Sequence, residues 1–466
     1  MAPLSVTGTP IDGLLVVHLD VRGDNRGWFK ENWQRAKMSA LGVPDFGPVQ
    51  NNVSFNTTAG ATRGIHAEPW DKFVSVARGR VFGAWVDLRP GEGFGRSFTL
   101  ELGPETAVFV PRGVGNAFQT LEDGTAYSYL VNDHWSLAAK ESYTFLNLAD
   151  ETVAIGWPIP LDRAELSDAD RAHPRLAEVR PMPGRRTLVV GAGGQLGRAL
   201  TAQWPGATPL TRAELDLADP ASVAAFDFSP YGVLVNAAAH TAVDAAETPE
   251  GRREAWAVNV TGVAGLVRAA REHRSTLVHI SSDYVFDGTL AEHTEDEPFS
   301  PLGVYGQTKA AGDALVATLP SYYLLRTSWV IGEGRNFVAT MASLADRGVK
   351  PSVVADQDGR LTFTSEIARA VDHLLAVSAP PGTYNVSGAG EVMSWADIAR
   401  LVFNERGRPG SDVTSVTAAE YGAGKALAPR PQHSAFALEK IRATGFEPAL
   451  AADSLSAYLR RIPTAP

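Results

Sequence analysis

The pattern of hydrophobic and polar positions changes near the middle of the chain. From Gly13 to about Trp157, short runs of alternating apolar and polar residues are broken about every 8 to 12 residues by Gly, Pro or Asn. Residues 72–88 are one example, with a turn expected at Arg78 and Gly79. Evenly spaced short strands are typical of β-sandwiches and barrels, so the first half is predicted to be all-β.

From Arg186 onward, β-rich apolar runs alternate with alanine-rich helical stretches. The runs are residues 188–190, 233–235, 276–280 and 322–325. Such alternation predicts a parallel sheet covered by helices on both faces. Residues 181–185 contain two prolines and a glycine, and we predict a linker there between domains 1–180 and 186–466.

Composition narrows the classes of protein that the chain can represent. A length of 466 residues indicates two or three domains. The 42 Lys and Arg against 52 Asp and Glu give a net charge of -10, which argues against a nucleic-acid partner. The absence of Cys excludes disulfides and thiolate chemistry. No apolar run approaches the ~20 residues of a membrane span, and no signal peptide is recognisable, so a soluble cytoplasmic protein is expected.

A glycine-rich turn follows the first apolar run of the second half. It comprises Gly191, Ala192, Gly193, Gly194, Gln195, Leu196 and Gly197. Glycines there permit a tight turn and let a pyrophosphate approach the backbone at a helix N-terminus, so a dinucleotide site is predicted. The acidic residue expected about 20 positions later is ambiguous. Asp216 and Leu217 are the candidates, and Arg212 is either a contact for a 2′-phosphate or an ordinary surface residue.

Three further stretches of the second half carry candidate chemistry. Ala237, Ala238 and Ala239 end a predicted strand with small side chains against which a cofactor can lie, and Ser282 ends the next strand. Tyr305 and Lys309, four residues apart, share one helical face. An ammonium near a phenol favours its ionised form, which suits a Tyr that gives a proton to an alkoxide.

At these residues the second half resembles the extended short-chain dehydrogenase/reductases, and among them the dTDP-4-dehydrorhamnose reductase family, over about residues 186–466. The motifs are GAGGQLG, VNAAAHTAVDAAE, ISSDYVFDG, PLGVYGQTK, RTSWV and DQDGRLT. The resemblance implies a doubly wound Rossmann sheet with a small C-terminal substrate subdomain, and NADPH or NADH as cofactor. Tyr305 would be the acid, Lys309 its partner and a ribose ligand, and Ser282 stands where the family usually has Thr. The implied sugar-nucleotide contacts are Asp283, Trp329, Asn336 and Arg430.

One histidine of the first half is a candidate base. His66 lies between two predicted strands, and none of the ten histidines forms a His-x-His pair, so a metal-binding cupin is disfavoured and no metal is expected. A histidine without a metal can act as a base when a carboxylate orients it.

The surroundings of His66 resemble the dTDP-4-dehydrorhamnose 3,5-epimerase family, over about residues 10–180. The motifs are DNRGWFKE, QNNVS, RGIHAEPWDKFV and LSDADR. The resemblance implies a cupin-like jelly roll without a cofactor, and a homodimer formed through it. His66 would be the base, Asp170 its orienting carboxylate, and Lys72 the cation that stabilises an enolate. The implied diphosphate ligands are Arg26 and Arg63, and the implied nucleotide contacts are Glu31, Gln50 and Asn52.

The first half departs from that family at two positions. Trp135 stands where the family has the Tyr that supplies the second proton, and Asn116 replaces a His. Indole is not a usable acid, so Tyr127, Tyr129, His134 or water would have to protonate the sugar.

The leading hypothesis is a bifunctional enzyme of dTDP-L-rhamnose synthesis. The first half would epimerise dTDP-4-keto-6-deoxy-D-glucose, whose C3 and C5 hydrogens are acidic, and the second would reduce the 4-keto group. One alternative keeps only the reductase, with the jelly roll as a binding, single-centre or dimerising module. The other is a non-enzymatic, cofactor-sensing regulatory protein.

Overall fold

Two compact units make up the chain, one ending at Gly184 and the other beginning at Arg185. The computed structural model describes residues 3–463. Residues of the predicted linker are anchored in their own units. Met182 is 2% exposed, and its N–H donates to the Leu88 carbonyl at 2.8 Å. Arg185 donates to the carbonyl of Tyr231. Burial of an apolar side chain such as that of Met182 is favourable in free energy. Little of the predicted linker is therefore left as a free spacer.

The first unit is a sandwich of two antiparallel sheets, which confirms the predicted jelly roll. Its strands are β1 (Ser5–Gly8), β2 (Leu15–His18), β3 (Val21–Asp24), β4 (Gly27–Lys30), β5 (Gln50–Asn56), β6 (Thr62–Ala67), β7 (Lys72–Arg78), β8 (Val81–Asp87), β9 (Ser97–Leu102), β10 (Thr106–Val110), β11 (Val114–Thr120), β12 (Thr125–Val131) and β13 (Thr144–Phe145). The orders are β1-β2-β10-β7-β12-β5 and β13-β6-β11-β8-β9, while β3 and β4 form a separate hairpin. The helices are α1 (Arg35–Ala40) and α2 (Asp168–Arg171), with 3-10 turns at Ala138–Ser142 and Leu176–Glu178.

The five-stranded sheet of the first unit is buried on both faces. Trp85 and Phe118 pack between the two sheets. On the other face, Ile65 packs with Leu146 and Leu176. The stretch from β13 to the end of the unit therefore covers this second face of the sheet. That face includes Ile65 of β6, the strand that also carries His66.

The second unit is built on a six-stranded parallel sheet, as its alternating pattern predicts. The strands are β14 (Arg186–Val190), β15 (Thr208–Leu210), β16 (Tyr231–Asn236), β17 (Thr276–Ser282), β18 (Tyr322–Thr327) and, after four short strands, β23 (Gly382–Val386). The flanking helices are α3 (Gln195–Gln203), α4 (Pro220–Ala225), α5 (Pro249–Trp256), α6 (Val263–Glu272), α7 (Val304–Val316) and, later in the chain, α9 (Thr364–Ala376), with a π-helical turn at Ala257–Gly262.

The order of this sheet, β15-β14-β16-β17-β18-β23, places a reversal between β14 and β16. Ligands of open α/β sheets bind at the carboxyl ends of the strands beside such a switch point. The glycine-rich turn follows β14, and the three alanines follow β16. Two predicted cofactor segments therefore meet at the expected crevice.

A small C-terminal subdomain has its own core, as the resemblance implied. Its short strands are β19 (Val330–Ile331), β20 (Ser352–Val354), β21 (Asp358–Gly359), β22 (Thr362–Phe363), β24 (Met393–Ser394) and β25 (Thr414–Val416), and its helices are α8 (Phe337–Asp346), α10 (Trp395–Glu405), α11 (Ala418–Gly422) and α13 (Ala451–Arg461). The short helix α12 (Glu439–Arg442) packs against β23 of the main sheet instead. Val338, Phe403 and Leu455 belong to one buried cluster there. Between residues 3 and 463, every helix is too short or too polar to cross a bilayer.

Candidate active sites

The glycine-rich turn packs against the end of β16 with no room for side chains. Gly191 has φ +83°, and a Cβ there would lie 2.6 Å from the backbone nitrogen of Ala238. A Cβ on Gly197 in α3 would lie 2.2 Å from the Gly191 carbonyl oxygen. Gly194 precedes α3, and no side chain caps the helix. The free N–H groups of its first turn suit a pyrophosphate, so these residues fit the dinucleotide that the sequence predicts.

Adding one methyl group to Gly197 should destabilise the second unit. We expect Gly197→Ala to lower its free energy of unfolding by about 1–3 kcal/mol, because the helix must move away from the backbone of Gly191 and Ala192. The matched control is Gly206→Ala, where a Cβ meets nothing within 4 Å. Urea unfolding of both full-length variants measures the effect, and equal midpoints would contradict this account of the glycine.

The other predicted cofactor residues flank the same crevice. Asp216 accepts hydrogen bonds from the N–H of Ala218 and from Arg212 Nε, the latter at 3.3 Å. Leu217 is buried, and the Arg212 side chain is 79% exposed. An exposed guanidinium beyond β15 is free to reorient, so Arg212 remains a candidate for the 2′-phosphate.

Ser282 and Tyr305 come together as predicted, both of them buried. Burial raises the pKa of the Tyr305 phenol, and a hydrogen bond with Ser282 offsets only part of that rise. This differs from the expectation that Lys309 would favour the ionised phenol. The reason is geometric, because Lys309 Nζ donates to the Ile280 carbonyl at 2.7 Å and is thereby held. A high pKa keeps the phenol protonated, which is the form that a proton donor requires.

A buried network that sequence reasoning missed surrounds Lys309. Asn236 Nδ2 lies 3.0 Å from His279 Nδ1, and Asn236 Oδ1 accepts from the N–H of Ala238. The other ring nitrogen of His279, Nε2, lies 3.3 Å from Lys309 Nζ. Burial lowers the pKa of Lys309 to about 8, and the charge of Asp313 opposes this. Asp313, four residues after Lys309, shares its helical face, which was the available sequence signal.

The predicted sugar contacts are held by the subdomain and its neighbours. The buried carboxyl of Asp283 accepts from Ser282 Oγ, and burial raises its pKa to about 6. Trp329 has φ +47° and stacks on Trp395 with centroids 3.7 Å apart. Asn336 caps α8 by accepting from the N–H of Ala339.

Two of these side chains are engaged within the protein. Asn336 Nδ2 donates to the Gly332 carbonyl at 2.7 Å, and Arg430 Nη2 binds both carboxylate oxygens of Asp244, at 2.9 and 3.0 Å. Asn336 therefore has a sufficient structural role, whereas Arg430 is held by Asp244 and by the Ala428 carbonyl.

A large pocket of about 890 Å³ opens in the first unit, with His66 in its wall. Of the predicted residues it is lined by His66, Lys72, Asp170 and Arg63. His66 Nε2 lies 2.9 Å from Asp170 Oδ1, so the predicted base has its carboxylate. Burial by itself raises the pKa of Asp170, but hydrogen bonds from His66 and Ser167 outweigh it and leave this pKa lowered.

A second histidine joins this pair. His173 Nδ1 lies 3.9 Å from Asp170 Oδ1, and its ring is 5.3 Å from that of His66. Ligand atoms of all three residues lie within 4.8 Å of one another. His173 follows Asp170 by three residues, a spacing that a search for His-x-His pairs does not find. The cluster joins β6 to a loop more than a hundred positions away, beyond the reach of a local motif.

The enolate-binding Lys72 is paired with a residue that the sequence analysis missed. Lys72 Nζ is 2.8 Å from Glu68 Oε1, with only 5% and 12% of the two side chains exposed. Lys72 Nζ also lies 5.9 Å from the centroid of the Tyr129 ring. Glu68, two residues after His66 and just beyond the end of β6, lines the same pocket.

Phenols suited to the second protonation line the same pocket. Tyr129 and Tyr143 both face it, and burial raises the pKa of each. Trp135 lies at the rim with 56% exposure. Tyr127 donates to Asn116 Oδ1 at 3.2 Å and is thereby engaged. The geometry thus favours Tyr129 or Tyr143 over Tyr127 as the proton donor, a role that the indole of Trp135 cannot fill.

The predicted nucleotide residues are only partly gathered around this pocket. Gln50 accepts from the N–H of Trp135 at 3.1 Å and donates to Asn52, so both lie near the rim. Arg26 and Glu31 are not among the described residues that line the pocket. Arg26 lies in the turn of the β3–β4 hairpin and Glu31 directly follows it, so their nucleotide contacts stay a prediction.

Family models match both halves of the chain. The model for dTDP-4-dehydrorhamnose 3,5-epimerase matches residues 8–178, and the model for the RmlD substrate binding domain matches residues 185–462.

Individual relatives divide at the same place. Residues of the first half are 51% identical to a protein named RmlC homolog from Streptococcus pyogenes, over 37% of this chain and 89% of that protein. The second half is 38% identical to a dTDP-4-dehydrorhamnose reductase from Aggregatibacter actinomycetemcomitans, over 56% of this chain and 94% of that enzyme. A solved dTDP-4-dehydrorhamnose reductase from Bacillus anthracis, in complex with NADP, is similar with a TM-score of 0.54 and 31% identity, covering 59% of this chain and 99% of its own.

Proposed function

The chain belongs to the dTDP-4-dehydrorhamnose 3,5-epimerase family over residues 8–178 and to the RmlD family over residues 185–462, and we propose that it carries out both steps. It is a bifunctional enzyme of dTDP-L-rhamnose synthesis. The first unit epimerises dTDP-4-keto-6-deoxy-D-glucose, and the second reduces the 4-keto group with NADPH. The observation that carries this proposal is that one chain holds both a His66–Asp170 pair in a large pocket and a buried Ser282–Tyr305 pair near a glycine-lined crevice.

In the epimerase reaction, His66 removes the hydrogen beside the sugar ketone. Asp170 orients the imidazole and stabilises its positive charge, while Lys72 stabilises the enolate oxygen. Reprotonation from the opposite face inverts the carbon. Tyr129 is the proton donor that we favour, because it faces the pocket next to Lys72.

In the reductase reaction, the dinucleotide supplies a hydride when bound at the crevice formed by Gly191, Gly197 and Ala238. Tyr305 gives its proton to the carbonyl oxygen, and Ser282 holds that oxygen in register. Lys309 assists as a cation, and Trp329 provides an apolar wall for the sugar nucleotide.

One experiment separates the bifunctional enzyme from its alternatives. The keto sugar is supplied in heavy water with and without NADPH, and NMR follows deuterium at C3 and C5 while absorbance follows NADPH. Deuterium at both carbons together with NADPH consumption supports the proposal. Reduction of an already epimerised substrate without exchange would leave the reductase alone, and neither signal would favour the regulatory alternative.

The rate of reduction should depend on pH through Lys309. Because the pKa of Lys309 is lowered to about 8, the positive charge that Lys309 supplies to the reductase site is lost as the pH rises through that value. We expect kcat/KM for the ketone to fall there. The charge of Asp313 raises this pKa, so Asp313→Asn should move the decline to lower pH. Stopped-flow reduction of the epimerised ketone across the pH series measures both, and an unmoved or upward-shifted decline would exclude Lys309 as its origin.

We also propose that the protein is a homodimer through its jelly roll. Large apolar side chains stand exposed on the hairpin and on β5, an edge strand of the six-stranded sheet, at Trp28, Phe29 and Val53. An exposed edge with apolar side chains is suited to pairing with a second copy. Any contact of Arg26 and Glu31 with the nucleotide would then be made across the dimer. Light scattering of the wild type and of Val53→Glu tests the assembly.

A further inference from the structure

The trio of His66, Asp170 and His173 has a feature that base catalysis leaves unexplained. Removal of a proton by His66 needs only the hydrogen bond to Asp170. His173 is nevertheless held against this pair, with its ring stacked on Phe145 at 4.7 Å. Its Nδ1 is buried without a hydrogen-bond partner and lies 3.9 Å from the carboxylate. Burying a polar nitrogen that has no partner costs free energy, so such an atom calls for a ligand.

The three side chains have the chemistry and spacing of a metal site. Two imidazoles and one carboxylate suit borderline ions such as Zn²⁺ and Co²⁺, and they do not suit Ca²⁺ or Mg²⁺, which prefer oxygen ligands. Tetrahedral Zn²⁺ with bonds of about 2.0–2.1 Å holds its ligands roughly 3.4 Å apart. The observed separations of 2.9 Å and 3.9 Å from Asp170 Oδ1 bracket that value.

We infer that His66, Asp170 and His173 bind a transition-metal dication of the Zn²⁺ class, and that the bound ion blocks epimerisation. The site opens into the 890 Å³ pocket, which leaves room for a water molecule as fourth ligand. Coordination through His66 Nε2 replaces the hydrogen bond to Asp170 and leaves the imidazole hydrogen on Nδ1, the nitrogen that would otherwise accept the substrate proton. The ion therefore competes directly with base catalysis.

Binding itself is tested without any activity, using Co²⁺ as a spectroscopic probe. Titrating Co²⁺ into the chelator-treated full-length protein should produce the visible d–d bands of a low-coordinate ion, saturating at one equivalent per chain. His173→Phe keeps an aromatic ring against Phe145 but removes the ligand. We expect His173→Phe to weaken Co²⁺ binding by more than roughly tenfold, because the loss of a metal ligand should cost more affinity than the loss of a residue that only hydrogen-bonds to a ligand.

Two further variants make this test decisive. His173→Gln provides a second removal of the imidazole in case the Phe variant folds poorly, and circular dichroism checks both. His18→Gln removes a histidine of β2, outside the cluster, and should leave the Co²⁺ bands and affinity as in the wild type. Absence of the bands, or bands of equal intensity and affinity in both His173 variants, would overturn the site.

Inhibition is the part of the inference that rests on the proposed epimerase function. Micromolar Zn²⁺ should suppress deuterium exchange at C3 and C5 by the wild type, with recovery after EDTA. NADPH-dependent reduction of the epimerised ketone should persist in the same sample. A metal-free protein that never exchanges deuterium would refute the epimerase function while leaving the Co²⁺ result valid. Exchange that continues with one bound equivalent of Zn²⁺ would refute the block.

Discussion

Replacing Tyr305 by Phe is expected to lower kcat/KM for ketone reduction by about two to four orders of magnitude. The phenol supplies the proton to the oxygen as the carbonyl carbon is reduced, and Phe fills the same space without it. Because burial raises the pKa of Tyr305, the wild-type phenol is fully protonated at neutral pH, so the variant loses a working acid. The measurement is NADPH oxidation with an already epimerised substrate, which makes the result independent of the first unit.

Two controls separate this chemical loss from a folding defect. Tyr323→Phe removes another buried phenol, whose hydroxyl donates to the Ala379 carbonyl. This variant should be less stable than the wild type without a comparable loss of rate. Deuterium exchange by the Tyr305 variant should continue, because the first unit supports it. A Tyr305→Phe enzyme that reduces the ketone at near the wild-type rate would remove this residue from the mechanism.

The second unit is the part of the molecule that the sequence predicts best. Its glycine-rich turn, its strand-end Ser282 and the Tyr305–Lys309 pair are local motifs, and each sits at the end of a strand or at the start of a helix. The carboxyl ends of parallel strands lie at one edge of a sheet, so ordering these motifs along the chain also orders them in space. The pattern does not predict the contact between Lys309 and His279. That contact depends on how the two buried side chains, one on α7 and one on β17, pack against each other.

The pocket of the first unit is less predictable for a physical reason. His66 is on β6, but His173 and Tyr143 come from long irregular connections whose paths are decided by packing against the five-stranded sheet. Short motifs carry no information about such paths. The hairpin shows the converse, because Arg26 belongs to a recognisable motif but does not line the pocket of its own chain.

Burial also decides how the charged groups of the two sites behave. Spacing alone suggests that Lys309 makes Tyr305 more acidic, whereas removal from water raises the pKa of the phenol and lowers that of the amine. In the jelly roll the balance is reversed at Asp170, where hydrogen bonds outweigh burial and lower its pKa. The carboxylate therefore stays ionised, which suits its role of stabilising an imidazolium.

The second large effect is expected at His66. His66→Gln should lower deuterium exchange at C3 and C5 by about two to four orders of magnitude, because the amide is not a base. The Gln amide nitrogen reaches about as far as the imidazole Nε2, so Asp170 keeps a hydrogen-bond donor and a buried, unpaired carboxylate is avoided. NMR of the keto sugar in heavy water without NADPH isolates this step from reduction.

A matched histidine and the second activity control this result. His18→Gln, on β2 and absent from the residues that line the pocket, should exchange deuterium at the wild-type rate. The His66 variant should still reduce an epimerised ketone, since that reaction belongs to the second unit. If exchange survives in His66→Gln but is lost in Tyr129→Phe, the pocket works with a different base. Exchange lost at C5 alone in the Tyr129 variant would instead confirm a separate acid for that carbon.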